Sequence, residues 1–165
     1  KNIIGLMKGF DVFCEKTKSD VKLLIIGEPM WKNENTKNIF QKLKYKNRIL
    51  FLDRKEIEEL TKIAASAISL TFVPHFEGFG IPLAEAMYCH TPIITSNVSC
   101  LPEIAGNTAM YAKPNDVNSI VDAMEEMYSN KEKRNELIEN CKIRKTAFSW
   151  DKASKEVWNV LKQNW

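Results

Sequence analysis

The sequence has 165 residues, 44% hydrophobic and 27% charged, and its 24 basic and 21 acidic residues leave a formal net charge of +3. This length favours one domain with a real core, and the near balance of charge argues against a nucleic-acid-binding surface. No apolar stretch approaches the roughly 20 residues that cross a bilayer, and no signal peptide is visible. The four cysteines are dispersed without a C-x-x-C pair, and there are two histidines. We therefore expect reduced thiols in a cytosolic protein and no metal site.

The hydrophobic pattern predicts strands and helices that alternate along the chain. Helices are expected where apolar residues recur with helical spacing, and strands where short apolar runs end at glycine or polar residues. In chain order the expected elements are a helix over 2–17, a strand over 21–27, a helix over 34–46, a strand over 48–53, a helix over 56–66, a strand over 68–74, a helix over 82–89, a strand over 92–95, a loop at Pro102-Glu103, a strand over 108–113, and helices over 116–129, over 131–146 and after Ser149. This alternation predicts an α/β fold, a Rossmann-like parallel sheet with helices on both faces.

Several segments carry finer expectations. The strand over 21–27 is a nearly continuous apolar run, which is typical of a strand buried on both faces of a sheet. Asp116 and Ser149 are expected to cap the helices that follow them. The charge-rich helix over 131–146 should face solvent. The helix over 56–66 should turn inward through Ile57, Leu60, Ile63 and Ala64. The last helix should dock on the body of the protein through Trp150, Trp158 and Trp165.

The stretch from His75 to Glu85, which reads HFEGFGIPLAE, is the most informative part of the chain. Glu77 and Glu85 flank a turn that contains Gly78 and Gly80. Both glycines would let the backbone take positive φ and approach a ligand closely. A strand, a glycine turn and a helix start form a layout that holds phosphate, and the carboxylates add acceptors for sugar hydroxyls. The stretch therefore predicts a binding site for a nucleotide-activated sugar.

Each residue of this stretch also has a simpler explanation. Glu85 is expected in the first helical turn, where an acidic side chain offsets the helix dipole. Glu77 could be a solvated loop carboxylate, and Gly-x-Gly recurs in many turns. The combination at one strand end is stronger evidence than its parts, although by itself it names no reaction.

The run from Glu77-Gly78-Phe79-Gly80-Ile81-Pro82 to Glu85-Ala86-Met87 resembles the E-x7-E signature of retaining glycosyltransferases with the two-domain GT-B fold, and most of all family 4 (group 1). The similarity continues through 91–94, 97–103 and 114–116, so it covers nearly the whole chain. It implies that residues 1–165 form a single donor-binding domain, the carboxy-terminal half of a GT-B fold. The amino-terminal acceptor domain and the first strand of the donor domain would then precede Lys1.

The resemblance also implies roles for individual residues. Glu77 would be the catalytic residue, which contacts hydroxyls of the transferred sugar near the reacting carbon. Glu85 would accept hydrogen bonds from the ribose hydroxyls. Lys1 would neutralise the diphosphate, although the arginine that normally works with this lysine is absent here. The sugar and diphosphate would be lined by the backbone of Gly78, Phe79, Gly80 and Ile81.

By the same resemblance the full-length protein would transfer a hexose, as mannosyl- and glucosyltransferases do, from a nucleotide diphosphate sugar to a glycan or lipid-linked acceptor in cell-envelope polysaccharide synthesis. It would need no metal or other cofactor and would be cytoplasmic, compatible with peripheral association at the inner face of the membrane. This chain alone would bind nucleotide without turnover. Two alternatives stay open, a nucleotide-sugar epimerase domain and a non-catalytic α/β binding module.

Overall fold

The computed structural model describes residues 1–27 and 34–163. Helices and strands alternate through most of this length. In chain order they are α1 (Ile3–Thr17), β1 (Leu23–Ile26), α2 (Glu34–Lys42), β2 (Ile49–Leu52), α3 (Ile57–Ser66), β3 (Leu70–Phe72), α4 (Ile81–Tyr88), β4 (Ile93–Ser96), α5 (Leu101–Ala105), β5 (Ala109–Ala112), α6 (Val117–Ser129), α7 (Lys131–Arg144) and α8 (Trp150–Gln163). Short 3₁₀ turns precede β2, β5 and α8.

The strands pair in parallel and form two sheets. In one, β1 pairs with β2, so that Leu23 lies opposite Ile49. In the other, β4 lies between β3 and β5, and Ile93 lies opposite both Leu70 and Ala109. Every residue of β4 is buried. The predicted α/β class with parallel strands is confirmed.

Helices cover both faces of the three-stranded sheet, as successive residues of β4 show. Ile94 packs in a cluster with buried residues of α1 and α6. Its neighbour Ile93 belongs to a second cluster that contains residues of α4 and α5. Because successive side chains of a strand point to opposite faces, these two clusters lie on opposite sides of the sheet. The prediction of helices on both faces is therefore confirmed.

The cluster under α1 and α6 also joins the two sheets. Ile49 of β2 is buried in it, and Leu23 and Phe51 pack against it, together with Ile94 of β4. Within residues 1–27 and 34–163, however, no strand pairing connects β1 or β2 to the other sheet. Both sheets therefore lie on one helical layer without forming one continuous sheet.

The strand β1 is not buried on both faces, so that prediction is wrong. Leu24 of β1 is 40% exposed, and its register partner Leu50 of β2 is 37% exposed. Leu23 and Ile25 point to the other face, where they pack against the α1 and α6 cluster. The helical layer covers that face, while the Leu24–Leu50 face is left open.

The helix α3 packs less deeply than its pattern predicts. Ile57 is 75% exposed, and Leu60 is half-buried, as are Ile63 and Ala64. The carboxy-terminal end of the helix is held to the segment that leads into β4, because the Thr91 hydroxyl donates a hydrogen bond to the Ala64 carbonyl at 2.8 Å. Ile57 stands at the opposite end of the helix, so the inward orientation predicted for it is wrong.

Two elements in the second half of the chain also differ from expectation. The Pro102-Glu103 segment forms the short helix α5 instead of a loop, with Pro102 in the first turn, where a missing N–H costs little. The helix α7 is not simply solvent-facing, because Leu137 and Cys141 are almost fully buried in the two clusters.

The helix α8 does not dock on the body of the protein. Trp150 is 88% exposed and Trp158 is 57% exposed, while Trp165 lies outside the described residues. The expected cap is confirmed, since the Lys152 N–H donates to Ser149 Oγ at 3.1 Å. The docking prediction was wrong because an apolar stripe on a helix identifies the face that favours burial without supplying a surface to cover it. The Asp116 cap of α6 is confirmed as well.

Candidate active site

The turn between β3 and α4 carries the two glycines of the predicted site, and they serve different purposes. Gly80 has φ +89°, and a Cβ atom there would lie 2.9 Å from Leu101 Cδ2. Its backbone conformation and its packing both require glycine. Gly78 does not have positive φ, contrary to expectation, and a Cβ atom there would meet nothing within 4 Å. It therefore leaves open space beside the turn.

The backbone of the turn offers hydrogen-bond donors. Among the described residues, no hydrogen bond engages the N–H groups of Gly78, Phe79, Gly80 or Ile81. The helix itself offers fewer than predicted, because Pro82 has no N–H and the Leu83 N–H donates to the Gly80 carbonyl at 2.9 Å. The donors available to an anion therefore lie mainly in the turn that precedes α4.

The two carboxylates lie on either side of this turn. Glu77 is half-buried and Glu85 is exposed. Because α4 begins at Ile81, Glu85 stands in its second turn, and the first turn contains no acidic residue. The prediction that placed Glu85 in the first turn is therefore wrong. The helix dipole does not explain this residue either, because the effect of the dipole fades beyond the first turn. Within the part of the chain that the structure describes, no hydrogen bond or ion pair engages either carboxylate.

A second loop, between β4 and α5, holds the backbone of Glu77. The Glu77 N–H donates to Ser99 Oγ at 3.2 Å, and the Cys100 thiol donates to the Glu77 carbonyl at 3.2 Å. Sequence reasoning missed both residues. The resemblance runs through both of them but gives neither a role, and their distance of 22 and 23 residues from Glu77 along the chain leaves no local spacing that links them to it.

The ends of β3 and β4 are also tied together. The Thr95 hydroxyl donates to the Phe72 carbonyl at 2.8 Å, and the Ser96 hydroxyl donates to the Pro74 carbonyl at 2.6 Å. Thr95 and Ser96 are themselves fully buried. The strand that leads into the Glu77 loop is therefore fixed up to Pro74, three residues before the carboxylate.

Asn2 places the start of α1 at the same edge. Its side-chain amide donates to the Val73 carbonyl at 2.9 Å and to the Pro114 carbonyl at 2.8 Å, just beyond the ends of β3 and β5. Asn2 has φ 52°, a left-handed conformation that asparagine tolerates better than most residues. Lys1 is exposed and directly precedes it. The resemblance includes Lys1-Asn2, but sequence reasoning gave Asn2 no role at the site.

The described residues contain neither a metal cluster nor a membrane span. In 1–27 and 34–163, no three His, Cys, Asp or Glu side chains come together in a way that could hold a metal ion. Metal-independent chemistry stays a prediction. In the same ranges no helix has the length and apolar character needed to cross a membrane.

Comparison with known proteins places the chain in a family. Residues 1–144 match the family described as glycosyl transferases group 1. The O-antigen chain mannosyltransferase B of Escherichia coli is 27% identical over 162 residues, which cover 98% of this chain and 42% of that protein. The chain thus spans less than half the length of this curated relative.

Solved structures of glycosyltransferases share the fold. Anabaena Alr3699/HepE, solved in complex with UDP and glucose, superposes with a TM-score of 0.81 at 15% identity, covering 95% of this chain and 44% of that one. The C-terminal domain of a group 1 family protein, LpcC from Francisella tularensis, superposes with a TM-score of 0.75 at 22% identity, covering 89% of this chain and 78% of that one. The α/β fold expected from the sequence, with parallel strands flanked by helices, is therefore shared with solved structures. Because the family match extends over most of its length, the chain belongs to the group 1 glycosyl transferases.

Proposed function

We propose that this chain is the donor-binding domain of a retaining glycosyltransferase of family 4, which transfers a hexose from a nucleotide diphosphate sugar to a glycan or lipid-linked acceptor. One observation carries the proposal: the carboxylates of Glu77 and Glu85 have no hydrogen-bond or ion-pair partner among the described residues, and they flank a turn whose N–H groups are also unengaged there. This turn leaves β3 at the carboxyl edge of a parallel sheet, where open α/β sheets bind ligands.

The roles follow from the chemistry of these groups. The N–H donors of the turn hold the diphosphate, and Lys1, next to the Asn2 anchor, neutralises its charge. Glu85 accepts hydrogen bonds from the ribose, and Glu77 from hydroxyls of the transferred sugar. When the sugar leaves, negative charge grows on the diphosphate, and preorganised N–H groups and a lysine stabilise it without a metal.

We assign mannose as the transferred hexose and cell-envelope polysaccharide as the product. The support is the curated relative from Escherichia coli, an O-antigen chain mannosyltransferase. The reaction would take place on the cytoplasmic side of the membrane, where the full-length enzyme would associate peripherally.

The complete enzyme would also contain an acceptor domain and one more strand of this domain, both ahead of Lys1. The two sheets support this view, because they share one hydrophobic cluster although no strand pairing joins them within the described residues. A strand that pairs with β1 on one side and β3 on the other would make one continuous sheet. It would also complete the edges that both strands leave free in the described structure.

A ligand titration tests the donor-binding proposal. The chain is titrated with UDP, GDP, ADP and their common sugar conjugates and followed by ligand-observed NMR. We expect selective binding of one nucleotide. Glu85→Ala should weaken it by about ten-fold or more, the scale of a lost hydrogen bond to a charged group. Glu58→Ala, at another exposed helical glutamate, is the matched control and should leave the affinity unchanged.

Other outcomes of the titration would favour the alternatives. No binding of any nucleotide at millimolar concentration, together with capture of a partner protein, would support a binding module. Formation of an epimerised sugar nucleotide by the full-length protein would support an epimerase.

A further inference from the structure

We propose that Ser99 and Cys100 are positioning residues, which hold Glu77 in the orientation needed for sugar transfer. The proposal rests on the proposed function, in which Glu77 contacts the transferred sugar. It adds a second loop, between β4 and α5, to a site that the sequence motif confines to the turn between β3 and α4.

Two hydrogen bonds from the loop between β4 and α5 hold the backbone of Glu77. Ser99 Oγ accepts from the Glu77 N–H and the Cys100 thiol donates to the Glu77 carbonyl, both at 3.2 Å. The two bonds therefore hold the peptide planes on both sides of the Glu77 Cα atom, and these planes set the direction in which the side chain leaves the backbone.

The sequence neighbours of Glu77 supply little other restraint on its orientation. Phe76 is 78% exposed, and the Cβ position of Gly78 has no atom within 4 Å. The carboxylate of Glu77 has no partner of its own among the described residues. The orientation of Glu77 thus depends on the loop that carries Ser99 and Cys100.

The loop between β4 and α5 is itself firmly held. Leu101, the residue after Cys100, is fully buried and lies against Gly80, so the two loops pack together directly. Its N–H donates to the Val98 carbonyl at 3.3 Å. Upstream, Ser96 ties the end of β4 to Pro74. A loop fixed at both ends can transmit a defined position to Glu77.

The backbone of Ser99 has an unfavourable conformation. Its φ of 51° lies in the left-handed region, which favours glycine and is strained for other residues. Glycine would relieve the strain but would remove the hydroxyl that accepts from Glu77. Position 99 therefore has a backbone conformation that favours glycine, yet it carries a serine, and the serine hydroxyl makes the contact with Glu77.

The consequence concerns the transfer step more than nucleotide binding. The proposed nucleotide contacts come from Glu85 and from the N–H groups of the turn. Only the Gly78 N–H shares a peptide plane with a group that these bonds hold, the Glu77 carbonyl, and neither bond engages Glu85 or the N–H groups of the three residues after Gly78. A small displacement of a group that must meet the reacting sugar can lower the rate by up to about a hundred-fold. Loss of the two bonds should therefore lower kcat and leave nucleotide affinity nearly unchanged.

The kinetic test uses the full-length polypeptide that carries this chain. The variants are Ser99→Gly, Cys100→Ala, their combination, and Cys100→Ser, whose hydroxyl can still donate to the Glu77 carbonyl. We expect the double variant to lower kcat by about ten- to a hundred-fold, with the Kd for the nucleotide changed less than about two-fold. Cys100→Ser should restore most of the loss seen with Cys100→Ala. Ser129→Ala is the matched control, since the Ser129 hydroxyl donates to the Glu125 carbonyl within α6, away from Glu77.

A second measurement needs no activity. Amide hydrogen exchange of Glu77, measured by NMR on this chain, should accelerate in Ser99→Gly and stay unchanged in Ser129→Ala, because the variant removes the acceptor of that N–H. Unchanged exchange would overturn the proposal. So would an unchanged kcat in the double variant, or an equal fall in kcat and nucleotide affinity. The failure of the proposed function itself looks different, since the parent would then show no sugar transfer, or Glu77→Gln would leave that transfer intact.

Discussion

Gly80 combines two constraints that only glycine meets, and this gives a prediction at the scale of one residue. Gly80→Ala should destabilise the chain by about 1–3 kcal/mol, because alanine is strained at φ +89° and its Cβ would press on Leu101. Gly78→Ala is the matched control and should change stability by less than about 0.5 kcal/mol, since its Cβ position is open. Urea denaturation of both variants measures the difference. Equal losses of stability would contradict these separate roles.

The site residues that could be predicted from the sequence belong to one local motif, whereas those that could not reach the site from distant parts of the chain. Glu77, Glu85 and Gly80 belong to one short motif, so their spacing alone indicated a site. Ser99 and Asn2 reach the site through contacts between distant parts of the chain, and both have a left-handed backbone that no spacing pattern encodes. Their contribution could be recognised only once the loops were placed in space.

At the scale of elements, an ionic cluster on α1 predicts an acid-sensitive contribution to stability. Glu15 accepts hydrogen bonds from Lys18 at 2.7 Å, from Lys44 at 2.5 Å and from the Tyr45 hydroxyl at 3.0 Å. These bonds, led by the one from Lys18, lower the pKa of the Glu15 carboxyl from its ordinary 4.5 to about 2. A lowered pKa stabilises the folded state above the unfolded value, and that gain is lost as the pH falls from about 4.5 to about 2.

Denaturation of Glu15→Gln across this pH range tests the assignment. Between about pH 4.5 and about pH 2, the free energy of unfolding should fall less in the variant than in the parent chain. At the acid end of this range the two free energies should converge. Ser129→Ala, which changes no charged group, is the control and should follow the parent curve. A Glu15→Gln curve parallel to that of the parent over the whole range would contradict the assignment. Because the cluster is exposed, 1 M salt should reduce its effect.

Elements were predictable where one physical signal dominated. The strands coincide with short apolar runs, and Asp116 and Ser149 cap helices as their chemistry suggests. The helix α5 was missed because it has five residues, with a proline in its first turn. A segment this short shows too little hydrophobic periodicity to distinguish a helix from a loop. The exposed face of α8 was misjudged because amphipathicity does not reveal whether another surface covers the apolar side.

At the scale of the whole molecule, the proposal predicts binding without turnover. Transfer requires an acceptor hydroxyl held about 3–3.5 Å from the reacting carbon, and in the proposed enzyme the acceptor domain provides that position. The chain alone, incubated with its preferred sugar nucleotide and a lipid-linked acceptor, should form no glycosylated product by mass spectrometry. The full-length polypeptide is the control and should form it. Sugar transfer by the chain alone would refute the proposal that a separate domain is needed to bind the acceptor.

The separation into two sheets was beyond sequence reasoning at this scale. Each strand was recognised from its own residues, but a hydrophobic pattern does not specify which strands pair. The parallel order of β3, β4 and β5 follows from crossover rules, whereas the open face at Leu24 depends on what packs against it.

The ring contact at the end of the site turn has a mechanical consequence. The Phe79 ring meets the Phe148 ring edge-on, with centroids 6.1 Å apart, and the Tyr88 hydroxyl donates to the Phe148 carbonyl at 2.6 Å. Phe148 lies two residues ahead of α8, whose residues are all exposed from Trp150 to Gln163. A displacement of α8 should therefore move Phe148 and, through this ring contact, act on Phe79 in the turn between Glu77 and Glu85.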